Sequence, residues 1–271
     1  MFDDFADVYE AMIDWPKRLA HEEPFYRRLF DRVGVQSVID VACGTGHHAA
    51  MFCSWGLCVE GADLSPTMID RARARFGQSC GAGVSPAQAA GTAAPQQPNA
   101  IPGNLQWTIR AFDQPITHVA PFDAVVCVGN SLALAPDIAT VEQAIRQMLA
   151  AVRGGGVIVV HALNLWRLPD GPCVWQKCQR TTLPHSSPGE LLILKGVHRC
   201  GNRGYVELVV TNLSGDTTMQ SESTPFLGLE AADLERMARS AGARTVALFG
   251  GYQDQPYDPL KSVDLVMVAE K

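Results

Sequence analysis

No stretch of this sequence approaches the roughly 20 consecutive apolar residues that cross a bilayer as a helix. Its opening, MFDDFADVYE, is acidic and lacks the basic and apolar regions of a secretory leader. No two cysteines form a C-x-x-C pair: the 8 cysteines stand at 43, 53, 58, 80, 127, 173, 178 and 200, and Cys53/Cys58 and Cys173/Cys178 are each separated by four residues. That spacing argues against a zinc site, and a chain this long without a leader argues against a disulfide framework. Most of the cysteines read as small buried apolar residues. No H-x-x-x-H or H-E-x-x-H spacing occurs, so no metal is expected. Basic clusters are also missing. With 22 Lys+Arg against 28 Asp+Glu the net charge is −6, which disfavours nucleic-acid binding. The expectation is a cytoplasmic protein with no membrane or nucleic-acid partner, its oligomeric state left open.

What is present is alternation of strand and helix. Phe5–Val33 carries helical periodicity, with Val8, Met12, Leu19, Tyr26 and Leu29 facing inward. Ser37–Val41 reads as a buried strand, His48–Trp55 as a helix capped by Gly56, Leu57–Ala62 as a second strand and Thr67–Phe76 as a helix opened by Ser65-Pro66. Strands follow at Leu105–Ile109 and Phe122–Val128. A helix over Ile138–Val152 ends at the Gly154–Gly156 turn, and Val157–Ala162 is the next strand. This order predicts an α/β fold with a Rossmann-like, doubly wound, mostly parallel sheet of seven strands. Leu191–Val197 and Tyr205–Asn212 lack intervening helices, so residues 170–228 read as a small antiparallel cap. Ala231–Ala241 is helical, and Arg244–Phe249 and Val263–Ala269 close the sheet as antiparallel neighbours. Residues 77–104 have almost nothing large to bury and read as a flexible insertion within a single 1–271 domain.

The stretch SVIDVACGTGHHAAMF, residues 37–52, runs from a strand through a glycine-spaced turn into a helix. Gly44-Thr45-Gly46-His47-His48-Ala49 fits the dinucleotide fingerprint G-x-G-x-x-A, so a nicotinamide-dependent oxidoreductase is one reading. Open α/β sheets bind ligands at the carboxyl ends of their strands, and Asp63, after the second strand, suits ribose hydroxyls. Asp40, four residues before Gly44, separates the alternatives. A pyrophosphate at the helix N-terminus is poorly served by a neighbouring acid. S-adenosylmethionine has no phosphate and brings an ammonium and a sulfonium, with which Asp40 can pair.

VIDVACGTG resembles motif I of the class I S-adenosylmethionine-dependent methyltransferases, and GADLSPTMIDRARAR resembles their following elements. More narrowly, DVACGTG, FDAVVCVGNSLALAPD at 122–137 and VIVVHALN at 157–164 are similar to the glycine N-methyltransferases. The resemblance covers about residues 35–165. It implies that Gly44 and Gly46 line the methionine moiety, with backbone from Ala42 and Cys43, that Asp63 takes the ribose hydroxyls, that Met68 packs on the adenine, and that Asp113 accepts from the adenine amino group. Leu64 and Val128 complete the cofactor contacts. Arg18 would hold the cofactor carboxylate, and Tyr9 stands in the same N-terminal region as an acceptor contact.

For the acceptor, the resemblance assigns Asn130 the role of orienting the nucleophile, with Asn164 as a second substrate contact. Where the related enzymes carry an arginine for the acceptor carboxylate, this chain has Leu163. A buried carboxylate without a cation is costly. The expected acceptor is therefore a small amine, with a hydroxyl as the alternative, whose carboxylate is absent or recognised elsewhere, Arg167 and Lys177 being the cations considered. Trp166 and Trp175 suggest an aromatic wall, and His161 a general base.

Overall fold

The computed structural model describes residues 6–77, 104–182, 189–214 and 218–271; for Ala6 and Tyr9 only the backbone is described. The insertion expected at 77–104 lies outside these residues except for its two end positions. Two helices, α1 (Ala6–Met12) and α2 (Trp15–Val33), open the chain. They divide the expected Phe5–Val33 segment because Asp14 caps α2, its carboxylate accepting from the Lys17 N–H at 3.1 Å, with a proline in the first turn. There follow β1 (Ser37–Asp40), α3 (His47–Ser54), β2 (Cys58–Asp63), α4 (Pro66–Phe76), β3 (Leu105–Ile109), β4 (Phe122–Cys127), α5 (Ile138–Ala151) and β5 (Val152–Leu163). The chain continues through β6 (Val174–Thr182), β7 (Glu190–Cys200), β8 (Arg203–Asn212) and β9 (Met219–Leu227) to α6 (Ala231–Ser240), β10 (Thr245–Phe249) and β11 (Asp264–Glu270).

Seven strands form one sheet in the order β10-β11-β5-β4-β1-β2-β3, parallel except for β11, which runs antiparallel to both neighbours. Alternating side chains feed two cores. Val157 and Val159 of β5 pack with α2 and α3 on one face, while Ile158 and Val160 pack with α5 and α6 on the other. Asp123 pins β4 to β1 by accepting from the N–H groups of Gln36 and Ser37, both at 2.8 Å. Strand β5 runs through Gly154–Gly156, where a turn was expected. Its pairing with β4 shifts register between Phe122 and Ala124, and Gly155 takes φ 75°, as a bulge requires.

The cap is a four-stranded antiparallel sheet, β6-β7-β8-β9. Its outer strands β6 and β9 carry few large apolar residues, and periodicity alone missed them. Helix α1 joins the cap to the main sheet: Val8, Ala11 and Met12 pack on Leu191, Ile193, Leu208 and Val210. Among the described residues no helix is long and apolar enough to cross a membrane. The cysteines depart from expectation. Cys43, Cys53 and Cys127 are buried, whereas Cys58, Cys178 and Cys200 are exposed, and all of these are free thiols.

Candidate active site

The turn between β1 and α3 is held by backbone geometry and one carboxylate. Gly44 and Gly46 adopt φ of 53° and 87°, which side-chain-bearing residues rarely adopt. Gly46 has a second constraint, since a Cβ there would stand 2.4 Å from the Trp107 ring. Asp63, at the end of β2, receives the Gly44 N–H at 2.8 Å on one oxygen and the Ser65 N–H at 2.9 Å on the other. One residue thus fixes both the glycine turn and the start of α4. Cys43 is tied by its N–H to the Ala62 carbonyl at 2.9 Å. Ala42 is half-buried, Val128 and Met68 are buried, and Leu64 is exposed.

Asp40 lies fully buried behind this turn, and neither of its carboxylate oxygens has a hydrogen-bond partner among the described residues. Burial, reinforced by the charge of Asp63, pushes its pKa up to about 7, against the weaker opposing pull of the Ala42 amide and Arg18. An acid left this way beside an open glycine turn fits a cationic ligand. The donor set therefore suits S-adenosylmethionine, with Asp40 toward its ammonium and Asp63 toward its ribose. Asp113 sits in the turn after β3, the strand that pairs with β2.

Arg18 reaches from α2 toward the end of β4: its guanidinium lies 3.7 Å from where a Cβ on Gly129 would stand. It is held by Glu22 at 2.8 Å, and Glu22 also meets the buried His48 at 2.6 Å. Burial raises the Glu22 pKa, but His48 and Arg18 outweigh it and bring it to about 2. A second carboxylate that the sequence reading missed, Glu10 of α1, hydrogen-bonds Thr45 of the glycine turn, His47 and Arg75. It too falls to about 2 as those three bonds overcome burial. Trp15 stacks on His47 with ring centroids 4.0 Å apart. Helix α1 is thereby fastened over the cofactor turn. Tyr9 lies on this helix, but its side chain is outside the described atoms.

Beyond β4, Gly129 and Asn130 take consecutive left-handed conformations, φ 75° and 68°. The Gly129 N–H donates to His161 Nδ1 at 3.1 Å, and His161 Nε2 meets Asp264 at 3.2 Å. With both ring nitrogens engaged, His161 positions the loop. Asn130 is buried, and its Oδ1 accepts from the Leu163 N–H at 2.9 Å. That bond leaves the amide NH₂ and one lone pair for an acceptor. Asn164 has no such capacity: it donates to the carbonyls of Pro259 and Ser262 and accepts from the Trp166 N–H and the Tyr257 hydroxyl. All four of its hydrogen-bonding positions are used, so it clamps a loop and the acceptor contact expected of it is corrected.

A cavity of about 460 Å³ opens between α2, the end of β4 and the cap, lined by Met12, Arg18, Gly129 and Lys195 among others. Trp166, Trp175 and Arg167 do not line it. Trp175 and Arg167 are exposed, and Trp166 donates to the Leu229 carbonyl at 3.4 Å. The aromatic wall is absent from this cavity.

Residues 39–158 match the family described as methyltransferase domain. The glycine/sarcosine N-methyltransferase of Parasynechococcus marenigrum (strain WH8102) is 30% identical over 169 residues, covering 62% of this chain and 52% of that protein. The human glycine N-methyltransferase is 28% identical over 188 residues, covering 65% and 59%. The chain thus spans a little over half the length of these relatives. In fold it is similar to an amino pentose methyltransferase of Micromonospora echinaspora with S-adenosylmethionine bound, at TM-score 0.68 and 20% identity over 97% of each chain. Over residues 39–158 the chain is similar to the methyltransferase domain family, and it resembles the class I S-adenosylmethionine-dependent methyltransferases and, within them, the glycine N-methyltransferases.

Proposed function

We propose that the chain is an S-adenosylmethionine-dependent methyltransferase acting on the nitrogen of a small-molecule amine. The observation that carries this reading is the fully buried Asp40 behind the glycine turn, with the Ala42 amide nearby and no side-chain hydrogen-bond partner among the described residues, a poor neighbour for a pyrophosphate and a good one for an ammonium. The glycine/sarcosine and glycine N-methyltransferases among the relatives support nitrogen as the acceptor atom. S-adenosylmethionine supplies a methyl group on a sulfonium, open to direct displacement. The residues of the chain bind and align. Asp63 and Met68 fix the nucleoside end, Arg18 lies where a carboxylate arrives, and Asn130 presents its amide at the carboxyl end of β4. No acid or covalent intermediate is required, so orientation and exclusion of water carry the rate. The free thiols Cys43, Cys53 and Cys127 support a reducing, cytoplasmic setting.

The experiment has two arms. Adenosylhomocysteine should bind and NADH should not, and Asn130→Ala should lower turnover of accepted amines at least tenfold while cofactor binding is kept. NADH binding, or full activity in Asn130→Ala, would overturn the reading or the residue's role, respectively.

A further inference from the structure

Strand β7 alternates Leu191, Ile193, Lys195 and Val197 on one face, and its other three members are buried. Lys195 therefore points inward, between apolar residues, into the cavity that Gly129 and Arg18 also line. Directly opposite it across the β6–β7 ladder stands Lys177. Like charges in that position destabilise a sheet unless something offsets them. Little does. The Lys177 ammonium donates to the Met12 carbonyl, and Lys195 has no hydrogen bond or ion pair with any described residue. The charge of Arg18 is matched by Glu22. The one carboxylate lining the cavity, Asp14, is exposed and already caps α2. Burial, with Lys177 and Arg18 close by, holds the Lys195 pKa below the usual lysine range, as for a cation with no counter-charge among the described residues.

We propose that Lys195 is the anion-binding group of the acceptor cavity and takes the carboxylate of an amine-bearing acid. The inference rests on the proposed methyl transfer and takes this cavity, lined by Gly129 immediately before Asn130, as the acceptor site. It places the specificity-determining cation on the cap and not beside Leu163, so that the cap selects the acceptor while the main sheet holds the cofactor. Lys177, bound to the α1 backbone, keeps the ammonium of Lys195 turned toward the cavity.

The test is ligand binding to the full chain loaded with adenosylhomocysteine, followed by NMR titration. Acetate and sarcosine are the carboxylate probes, and N-methylethanolamine carries the same amine without a carboxylate. Wild type should bind sarcosine more tightly than N-methylethanolamine. Lys195→Met and Lys195→Gln should weaken acetate and sarcosine at least tenfold and leave N-methylethanolamine unchanged, and Lys195→Arg should restore most of the loss. Unchanged adenosylhomocysteine affinity shows that each variant is folded. Failure of wild type to bind either carboxylate, or carboxylate binding that survives both neutral substitutions, overturns the assignment. Turnover of uncharged amines alone would sink this inference and leave methyl transfer standing. Carboxylate binding without turnover of any amine would do the reverse.

Discussion

The two ends of the site are built with opposite charge. At the end proposed for the cofactor, Asp40 and Asp63 stand at the glycine turn. The cavity proposed for the acceptor is lined by Lys17, Arg18 and Lys195, against the single carboxylate of Asp14 among the described residues. The first end is assembled mainly from one local stretch, β1 through α4, in which a turn, a strand end and a helix cap place Asp40, Asp63 and Met68. The second draws on α2, the β4 loop and the cap, segments far apart in sequence. Cofactor chemistry is common to many acceptors, and a contiguous motif can hold it. Acceptor choice sits on parts that can change independently.

Substitutions should separate the two ends, and the largest effect belongs to Asp63→Ala. It removes two hydrogen bonds that fix the turn, each to a charged acceptor and worth about 1.5–3 kcal/mol. Adenosylhomocysteine affinity should fall more than a hundredfold by calorimetry. Gly46→Ala tests whether the turn is as tight as it looks: the added methyl enters the Trp107 ring, and a loss of roughly 2–4 kcal/mol in stability is expected by denaturant titration, with altered tryptophan emission.

Asp40→Asn sharpens the comparison further because its two effects have opposite sign. In the unliganded protein the Asp40 pKa is about 7, above the value near 4 of an unfolded carboxylate. The folded state therefore holds the proton more tightly, and stability falls as pH rises from about 4 to about 7, by on the order of 4 kcal/mol. Asp40→Asn should flatten that loss and raise the melting temperature of the unliganded protein at pH 8. It should also weaken S-adenosylmethionine binding at least tenfold at the same pH. Wild-type affinity for the cofactor should rise with pH through 7 as Asp40 ionises, and the variant should show no such rise. Asn164→Ala, the smallest of the set, should cost about 1–3 kcal/mol in stability through its lost buried bonds, with little change in acceptor affinity.

Local features were legible in the sequence. The glycine turn, Ser65-Pro66 opening α4, and the strands that pair in the parallel sheet all follow from short-range pattern, and with them the positions of most residues proposed to hold the cofactor. What was illegible depended on partners distant in the chain. Gly154–Gly156 read as a turn because glycines usually break a strand, yet pairing with β4 and β11 carries β5 through them. Strands β6 and β9 present alternately exposed polar faces that no window average distinguishes from a loop. Glu10 and Lys195 gave no local signal, since an acid on a short helix and a lone lysine in a strand are ordinary surface residues until the fold brings the glycine turn and the cavity to them. Asn164 was misread because its partners at 257–262 lie almost a hundred residues away.

The most direct test is to incubate the chain with S-adenosylmethionine carrying an isotope-labelled methyl group and a panel of small amines with and without a carboxylate, and to follow the label by mass spectrometry. The account predicts adenosylhomocysteine and a labelled N-methyl product, formed fastest from the carboxylate-bearing amines. Cofactor binding with no labelled product from any amine, or label appearing only on oxygen, would contradict it.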